Sequence, residues 1–210
     1  EFYTYEGKII LPLGTITIEE TKAPQGYMLK DSYFMNTESR KKLTGLYIAC
    51  IRGQDGAAAL EGGNHCIAAD YPGRGGVTFQ KVDAVTGTAK GQGMATLEGA
   101  VYAVINKNEQ PVYVNGTLAA PGETVAQLTT DAQGRASSGA DLLPCGDYAL
   151  VEIKAPEGYL AEGVTQQNFS ITGDGMMADL TGAGQVLSDQ VIRGGVTVQK
   201  RDLESGNSSA

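Results

Sequence analysis

Short stretches in which apolar and polar residues alternate recur along the chain, and they predict β-strands. Side chains of a strand point alternately to its two faces, so a period of two marks a strand with one buried face. In the segment 14–20, Ile16, Ile18 and Glu20 share one face, and Glu19 lies on the other with two threonines. No window shows the i, i+3, i+4 apolar spacing of a long helix. The pattern therefore predicts an all-β protein.

Turn-forming residues separate these stretches at short and nearly regular intervals. Examples are Thr86-Gly87, Asn115-Gly116 and the segment 156–158, which reads Pro-Glu-Gly. The segment 112–118 predicts a tight hairpin, because Asn-Gly favours the two-residue turns that connect antiparallel strands. Short strands with frequent turns are typical of a β-sandwich or barrel.

Two pairs of similar segments indicate that the chain contains repeated modules. The segment RGGVTFQK at 74–81 returns as RGGVTVQK at 193–200, and GTITIEETKAPQGY at 14–27 returns as GDYALVEIKAPEGY at 146–159. Self-similarity of this kind is the sequence signature of a repeat architecture. We therefore divide the chain into the later part of one module (1–73, with its first strands missing), a complete module (74–192) and the first strand of a following module (193–210).

Three charged residues of the complete module fall on strand faces that the alternation predicts to be buried: Lys81, Glu152 and Asp189. An unpaired buried charge is costly, so such a placement needs an explanation. The side chains could reach solvent at strand ends, form a buried ion pair, or act as a reactive cluster. Recurrence of these residue types at matching places in the repeats disfavours the first explanation. The equivalent positions in the incomplete modules are Glu20, Asp70 and Lys200.

Composition excludes several classes of function. The chain has 210 residues and a formal net charge of -8, and its basic residues are scattered, so we expect no nucleic-acid partner. No apolar run is long enough to span a bilayer, so we expect no membrane contact by this sequence. With one histidine, His65, and no CxxC pair, we expect no metal site and no cofactor.

The cysteines allow one candidate disulfide. Cys50 and Cys66 flank a glycine-rich loop, and an extracellular setting would favour a bond between them; two unpaired buried thiols are the alternative. Cys145 occupies the position that Leu13 holds in the other copy, so we expect it to pack as an apolar residue.

The repeated segments resemble the E-box of Cna protein B-type, or SpaA-like prealbumin-type, domains, which occur in pilins and adhesins of Gram-positive bacteria. The two APxGY segments carry the E-box, and FQK or VQK with a following aspartate, LEGAVYAVINK at 97–107 and LTTDAQGR agree with the elements upstream of it. The resemblance spans the complete module and both partial ones. It implies Ig-like or prealbumin-like Greek-key β-sandwich modules in tandem.

In that family a first-strand lysine and a last-strand asparagine or aspartate form a spontaneous intramolecular isopeptide bond, assisted by the E-box glutamate. The resemblance therefore implies a bond between Lys81 and Asp189 with Glu152 as its catalyst. Aspartate in place of the commoner asparagine would release water instead of ammonia. Burial favours the neutral forms of amines and carboxyls, which an amide condensation requires. Asn168 is the main rival acceptor, and its reaction would release ammonia.

The resemblance implies a structural stalk repeat of a bacterial cell-surface adhesin or pilus-like protein, with single-turnover self-crosslinking and no other enzymatic activity. Neighbouring modules are the expected partners, and the expected location is extracellular, anchored in the cell wall through parts outside this sequence. The alternative is an adhesin module that binds a host matrix protein or glycan, for example through the loop 50–66. We also expect no crosslink at the incomplete modules within this chain, because Glu20 and Asp70 have no matching first-strand lysine and Lys200 has no matching carboxyl partners.

Overall fold

The computed structural model describes residues 4–9, 11–12, 14–36, 40, 42–44, 46–51, 57–59, 66–160, 166–182, 187–204 and 206. Every regular element in these ranges is a β-strand, which confirms the predicted all-β class. No helix in them is long and apolar enough to cross a membrane. The strands are β1 (Thr4–Tyr5), β2 (Lys8–Ile9), β3 (Gly14–Glu19), β4 (Tyr27–Asn36), β5 (Lys42–Thr44), β6 (Leu46–Ile51), β7 (Ala57–Ala59), β8 (Cys66–Pro72), β9 (Arg74–Asp83), β10 (Val101–Asn106), β11 (Val112–Val114), β12 (Thr117–Ala119), β13 (Thr124–Thr129), β14 (Arg135–Ser137), β15 (Leu143–Pro144), β16 (Gly146–Lys154), β17 (Tyr159–Leu160), β18 (Gln166–Ile171), β19 (Met177–Leu180) and β20 (Leu187–Val191).

Strands β9 to β20 build a sandwich of two main sheets. The four-stranded sheet has the order β13-β10-β16-β18 and is antiparallel. The six-stranded sheet has the order β14-β9-β20-β17, and β15 and β19 also pair with β9. Strands β9 and β20 run parallel, with Leu187 opposite Lys81 and Asp189 opposite Asp83. The first and the last strand of this sandwich are therefore direct neighbours.

The core lies between the two sheets, and β9 shows how the sequence produces it. Val77, Phe79, Lys81 and Asp83 are fully buried, whereas the residues between them are partly exposed, as the alternation predicts. Aromatic side chains from the two sheets meet across the core: the ring centroids of Phe79 and Tyr102 are 4.7 Å apart.

The predicted Asn-Gly hairpin is confirmed. Strands β11 and β12 pair antiparallel, with Val114 opposite Thr117, so Asn115 and Gly116 form a two-residue turn. Both turn residues have positive φ angles, 47° and 84°. This is the backbone conformation of the tight turn that Asn-Gly favours.

The two copies of the APxGY segment pair with their strands in the same way. Tyr27 in β4 lies opposite Pro72 in β8, and Tyr159 in β17 lies opposite Val191 in β20. The next backbone hydrogen bond is also repeated, from Gly73 N to Gly26 O (2.8 Å) and from Ile192 N to Gly158 O (2.9 Å). The repeated segments thus occupy corresponding positions, and the division into three modules stays a prediction.

The strand expected at 193–200 does not form. Residues 192–200 are exposed and carry no strand pairing. Val196 is 88% exposed, whereas its counterpart Val77 is fully buried. A strand needs a neighbour to satisfy its backbone hydrogen bonds, so the amino-acid pattern alone cannot make this segment a strand.

Candidate crosslink site

The side chain of Lys81 ends beside two carboxyl groups in the core of the sandwich. Its Nζ lies 2.8 Å from Asp189 Oδ2 and 2.9 Å from Glu152 Oε1. The three side chains are 0%, 2% and 5% exposed, respectively. The structure therefore brings together the three residues singled out from sequence, and it rules out side chains that reach solvent at strand ends.

Two facing sheets supply the members of this cluster. Lys81 and Asp189 lie on the neighbouring parallel strands β9 and β20, so they approach each other within one sheet. Glu152 lies on β16 of the opposite sheet, where it pairs with Tyr102 of β10. The amine consequently has one carboxyl beside it and a second carboxyl across the core.

Tyr102 is a fourth member of the cluster, and the sequence analysis missed it. Lys81 Nζ donates a hydrogen bond to the Tyr102 hydroxyl over 3.2 Å. Burial raises the pKa of Tyr102 far above its ordinary value, and the neighbouring charges of Glu152 and Asp189 raise it further. Tyr102 therefore stays a neutral phenol, and three oxygen atoms surround the amine.

The charges of the cluster favour a bound proton on one carboxyl. Burial raises the pKa of Glu152; Lys81 opposes this shift, and Asp189 adds to it. One ammonium between two carboxylates would leave an uncompensated negative charge in the core, which is costly. A proton shared by Glu152 and Asp189 makes the cluster neutral overall. The cluster then holds a carboxylic acid in contact with Lys81 Nζ.

Asp83 forms a separate buried network next to this cluster. Its carboxylate accepts hydrogen bonds from the backbone N–H groups of Val85 (2.9 Å) and Thr86 (2.8 Å), from Gln92 Nε2 (2.9 Å) and from the Tyr159 hydroxyl (2.8 Å). Burial by itself would raise the pKa of Asp83, but these hydrogen bonds outweigh it and hold the pKa far below its usual range. Asp83 is therefore a fixed carboxylate.

The rival acceptor does not approach Lys81. Asn168 lies in β18, is exposed, and its side-chain oxygen accepts a hydrogen bond from Gln166 Nε2 at 2.7 Å. Cys145 is partly buried and packs against the core cluster, as expected from Leu13 in the other copy.

The candidate disulfide stays a prediction. Cys50 lies in β6 and Cys66 in β8, which belong to two different sheets. The side chains of both residues, and His65 as a whole, lie outside the part of the chain that the structure describes.

The equivalent positions of the incomplete modules are only partly assembled. Glu20 and Asp70 are in contact, and the pKa of Glu20 is raised by burial, by a hydrogen bond with Asp70 and by the charge of Asp70. Lys200 lies in the exposed segment 192–200. The two carboxyl groups thus meet as they do around Lys81, while the lysine is elsewhere.

Comparison with known proteins gives one family and several solved structures. Residues 75–184 match the family model described as SpaA, prealbumin-like fold domain. Similar solved structures include the Bacillus anthracis TIE protein (15% identity, 86% of this chain and 34% of that chain, TM-score 0.43) and BcpA, the major pilin subunit of Bacillus cereus (15%, 81% and 41%, 0.40). GBS52, the minor pilin of Streptococcus agalactiae, is 16% identical over 95% of this chain and 92% of that chain, with a TM-score of 0.38.

These comparisons have a limited reach. At such identities the likeness to solved structures concerns the fold alone, and the chain spans only about a third to a half of the first structures it matches. No curated protein sequence is significantly similar to it.

Proposed function

We propose that this chain, which belongs to the SpaA prealbumin-like fold family, is a structural stalk module of a bacterial surface adhesin or pilus-like protein. In this proposal an autocatalytic isopeptide bond between Lys81 and Asp189 holds the module together. The observation that carries it is the buried contact of Lys81 Nζ with Asp189 Oδ2 at 2.8 Å and with Glu152 Oε1 at 2.9 Å. This contact joins the first strand of the sandwich to the last.

The reaction is a condensation of an amine with a carboxylic acid. Lys81 first gives a proton to the carboxyl pair, which leaves a neutral amine and two protonated carboxyls. The amine nitrogen then attacks Asp189 Cγ while Glu152 donates a hydrogen bond to the acceptor oxygen. Glu152 carries a proton from the nitrogen to the leaving hydroxyl, the Cγ–O bond breaks and one water leaves. Glu152 ends protonated, as it began, and the N–Cγ amide bond has formed.

The fold holds the amine and the carboxyl group in contact, and this placement replaces the chemical activation that such a condensation needs in solution. Holding reactants in attack geometry can contribute about 7–11 kcal/mol of a barrier. Removing charges from water is costly, so an apolar core also penalises an ion pair relative to a neutral amide. The event occurs once per molecule, because side chains that are 0–5% exposed leave no surface for an external substrate.

A mechanical role follows from the strands that the bond joins. In a tandem array, a pulling force enters the sandwich at β9 and leaves it at β20, and these strands lie side by side. A covalent link between them carries the load without unfolding the residues in between. On the chain-entropy model, a link between two positions 108 apart in the sequence would also add roughly 4–5 kcal/mol of stability.

The proposed location is the extracellular surface of a Gram-positive bacterium, with neighbouring modules as partners. The pilin subunits among the similar structures are consistent with this setting. The alternative of a module that binds a host protein or glycan through the loop 50–66 is not favoured by any specific observation, since most of that loop lies outside the described residues.

Single-molecule pulling from the two chain ends tests the mechanical role. We expect the segment from Lys81 to Asp189, whose ends are 108 positions apart, to stay closed, so the extension step of about 360–390 Å that it would give is absent. Lys81→Ala should restore that step, and the control Lys90→Ala, an exposed lysine, should not. A wild-type protein that shows the full step would contradict the proposal.

A further inference from the structure

The strand that carries Asp189, β20, lies between two strands that a side-chain hydrogen bond connects to each other. In the six-stranded sheet, β20 has β9 on one side and β17 on the other. Tyr159 of β17 pairs with Val191 of β20, yet its hydroxyl reaches past that strand and donates a hydrogen bond to Asp83 Oδ2 at the end of β9, over 2.8 Å. Both side chains are buried. One side chain thus spans β20 near Asp189.

The Asp83 end of this bridge is coupled to the backbone of Asp189 itself. Asp189 lies opposite Asp83 in the parallel pairing of β9 and β20. The N–H of Ala84, the next residue, donates a hydrogen bond to Asp189 O over 3.0 Å. A shift of Asp83 would therefore displace the backbone from which the Asp189 side chain extends.

Asp83 is fixed strongly enough to serve as an anchor. Both of its carboxylate oxygens accept hydrogen bonds from Gln92 Nε2 (2.9 Å each), and two backbone N–H groups of the following turn add to them. Charge-assisted hydrogen bonds of this kind are about twice as strong as neutral ones.

The same network separates the roles of two buried aspartates on neighbouring strands. An amide condensation needs a carboxyl group that can be protonated. Four donors favour the ionised form of Asp83, whereas Asp189 shares its surroundings with a second carboxyl, Glu152. Asp83 is therefore unsuited to be the acceptor, although it lies on the same face of β9 as Lys81.

We propose that Tyr159 and Asp83 form a clamp across β20 that positions Asp189 for attack by Lys81. This inference rests on the proposed function, because it assigns positioning residues for the same bond. The clamp touches neither reacting atom and acts through the register of β20 against β9. The first module provides a contrast: Tyr27, the counterpart of Tyr159, is 50% exposed, and residues 1–73 contain no lysine–X–aspartate segment to receive it.

The test measures crosslinking per folded molecule in the full chain. Protein made by cell-free translation is quenched in acid at intervals, the intact mass gives the fraction that has lost one water, and circular dichroism gives the folded fraction. Tyr159→Phe removes only the hydroxyl. Because a misplacement of about 1 Å can cost about a hundredfold in rate, we expect the folded variant to crosslink about ten- to a hundredfold more slowly.

Two control variants separate positioning from stability. Tyr113→Phe removes an exposed tyrosine hydroxyl, and Ile171→Val weakens the core without touching the clamp. Both should crosslink at the wild-type rate per folded molecule. Gln92→Ala, which removes a partly buried hydrogen-bond donor to Asp83, should slow the reaction severalfold even if Tyr159→Phe folds poorly.

The possible outcomes separate a failure of the proposed clamp from a failure of the proposed crosslink on which it rests. If wild-type protein never loses water, the proposed function fails. If wild-type protein reacts and both Tyr159→Phe and Gln92→Ala react at the same rate per folded molecule, only the clamp is overturned. A rate of Ile171→Val as slow as that of Tyr159→Phe would also overturn it, because lost stability would then explain the effect.

Discussion

At the scale of single residues, Lys81 is unusual because its amine has no contact with solvent. Three oxygen atoms, from Glu152, Asp189 and Tyr102, lie within 3.2 Å of its Nζ. A buried ion pair is at best close to neutral for stability, since the cost of removing two charges from water cancels much of their attraction. An amide removes both charges at once. In the proposed reaction, the core would therefore favour the amide product over the ion pair.

Asp83 gives a residue-scale prediction for the pH dependence of stability. Its pKa is lowered in the folded protein, so its contribution is present above the unfolded pKa of about 3.9 and is lost as the pH falls through the lower folded value. Asp83→Asn should cost about 2 kcal/mol at pH 7, because it weakens hydrogen bonds to a charged group. Urea unfolding at pH 7 and pH 3 should show the difference from wild type shrinking at the lower pH.

The matched control for this prediction is Asp141→Asn, which changes an exposed aspartate. It should leave the free energy of unfolding nearly unchanged at both values of pH. A constant deficit of Asp83→Asn across this range would show that the lost contacts do not depend on its charge.

Strand phase, together with recurrence in the repeats, singled out the three charged residues of the cluster, but neither could identify Tyr102. A charge in an apolar phase is conspicuous, because it demands a partner. A tyrosine in the same phase is ordinary. Tyr148 is buried as fully as Tyr102, yet its hydroxyl donates to the carbonyl of Pro144 over 2.8 Å. Which hydroxyl meets Lys81 depends on the facing sheet, and the sequence does not encode that pairing locally.

At the scale of elements, the two glycines that open β9 allow a close approach of other backbone segments. Gly76 N donates to Met176 O over 2.8 Å, and a Cβ on Gly76 would collide with the backbone carbonyl of Gly139. Gly75 would meet the carbonyl of Met176 in the same way. Backbone atoms cannot move aside as a flexible side chain can, so this part of β9 requires glycine.

We therefore predict that Gly76→Ala destabilises the sandwich by about 1–3 kcal/mol, the usual cost of overpacking. The repeat supplies the matched control: a Cβ on its counterpart Gly195 meets no atom within 4 Å, so Gly195→Ala should be neutral. Urea unfolding of the two variants measures the difference. Equal stability of both variants would contradict the close packing described for β9.

The two copies of this segment show why the sequence alone cannot predict every strand. Residues 74–81 and 193–200 differ only at the position of Phe79 and Val198, and both carry the alternation of a half-buried strand. Only the first becomes a strand, since β14, β15, β19 and β20 pair with it. Sheet partners come from distant parts of the chain, so pattern predicts the capacity to form a strand, and pairing decides the outcome.

At the scale of the whole molecule, a single residue separates the last strand before the sandwich from its first strand. Strand β8 ends at Pro72 and β9 begins at Arg74, so Gly73 alone connects them. Gly73 donates a hydrogen bond to Gly26 O, and its own carbonyl accepts one from Cys145 N, both over 2.8 Å. The connection is thus fixed by backbone hydrogen bonds on either side. In the proposed stalk, this connection would transmit force from β8 directly into β9, the strand that carries Lys81.

The proposed bond between Lys81 and Asp189 would link β9 to β20. Its formation would change the composition of the molecule in a way that no ion pair does. Glu152→Gln keeps the size of the side chain but cannot carry a proton from nitrogen to leaving group. It should therefore fold and remain unlinked.

The most direct test is the intact mass of the purified chain under denaturing conditions. We predict that the wild-type protein is lighter than its sequence by one water, and that Glu152→Gln and Lys81→Ala have their full masses. Peptide mapping should then find a branched peptide that joins β9 to β20. A loss of ammonia would assign the bond to an asparagine such as Asn168, and a wild-type chain of unreduced mass would contradict the account by leaving only a buried ion pair.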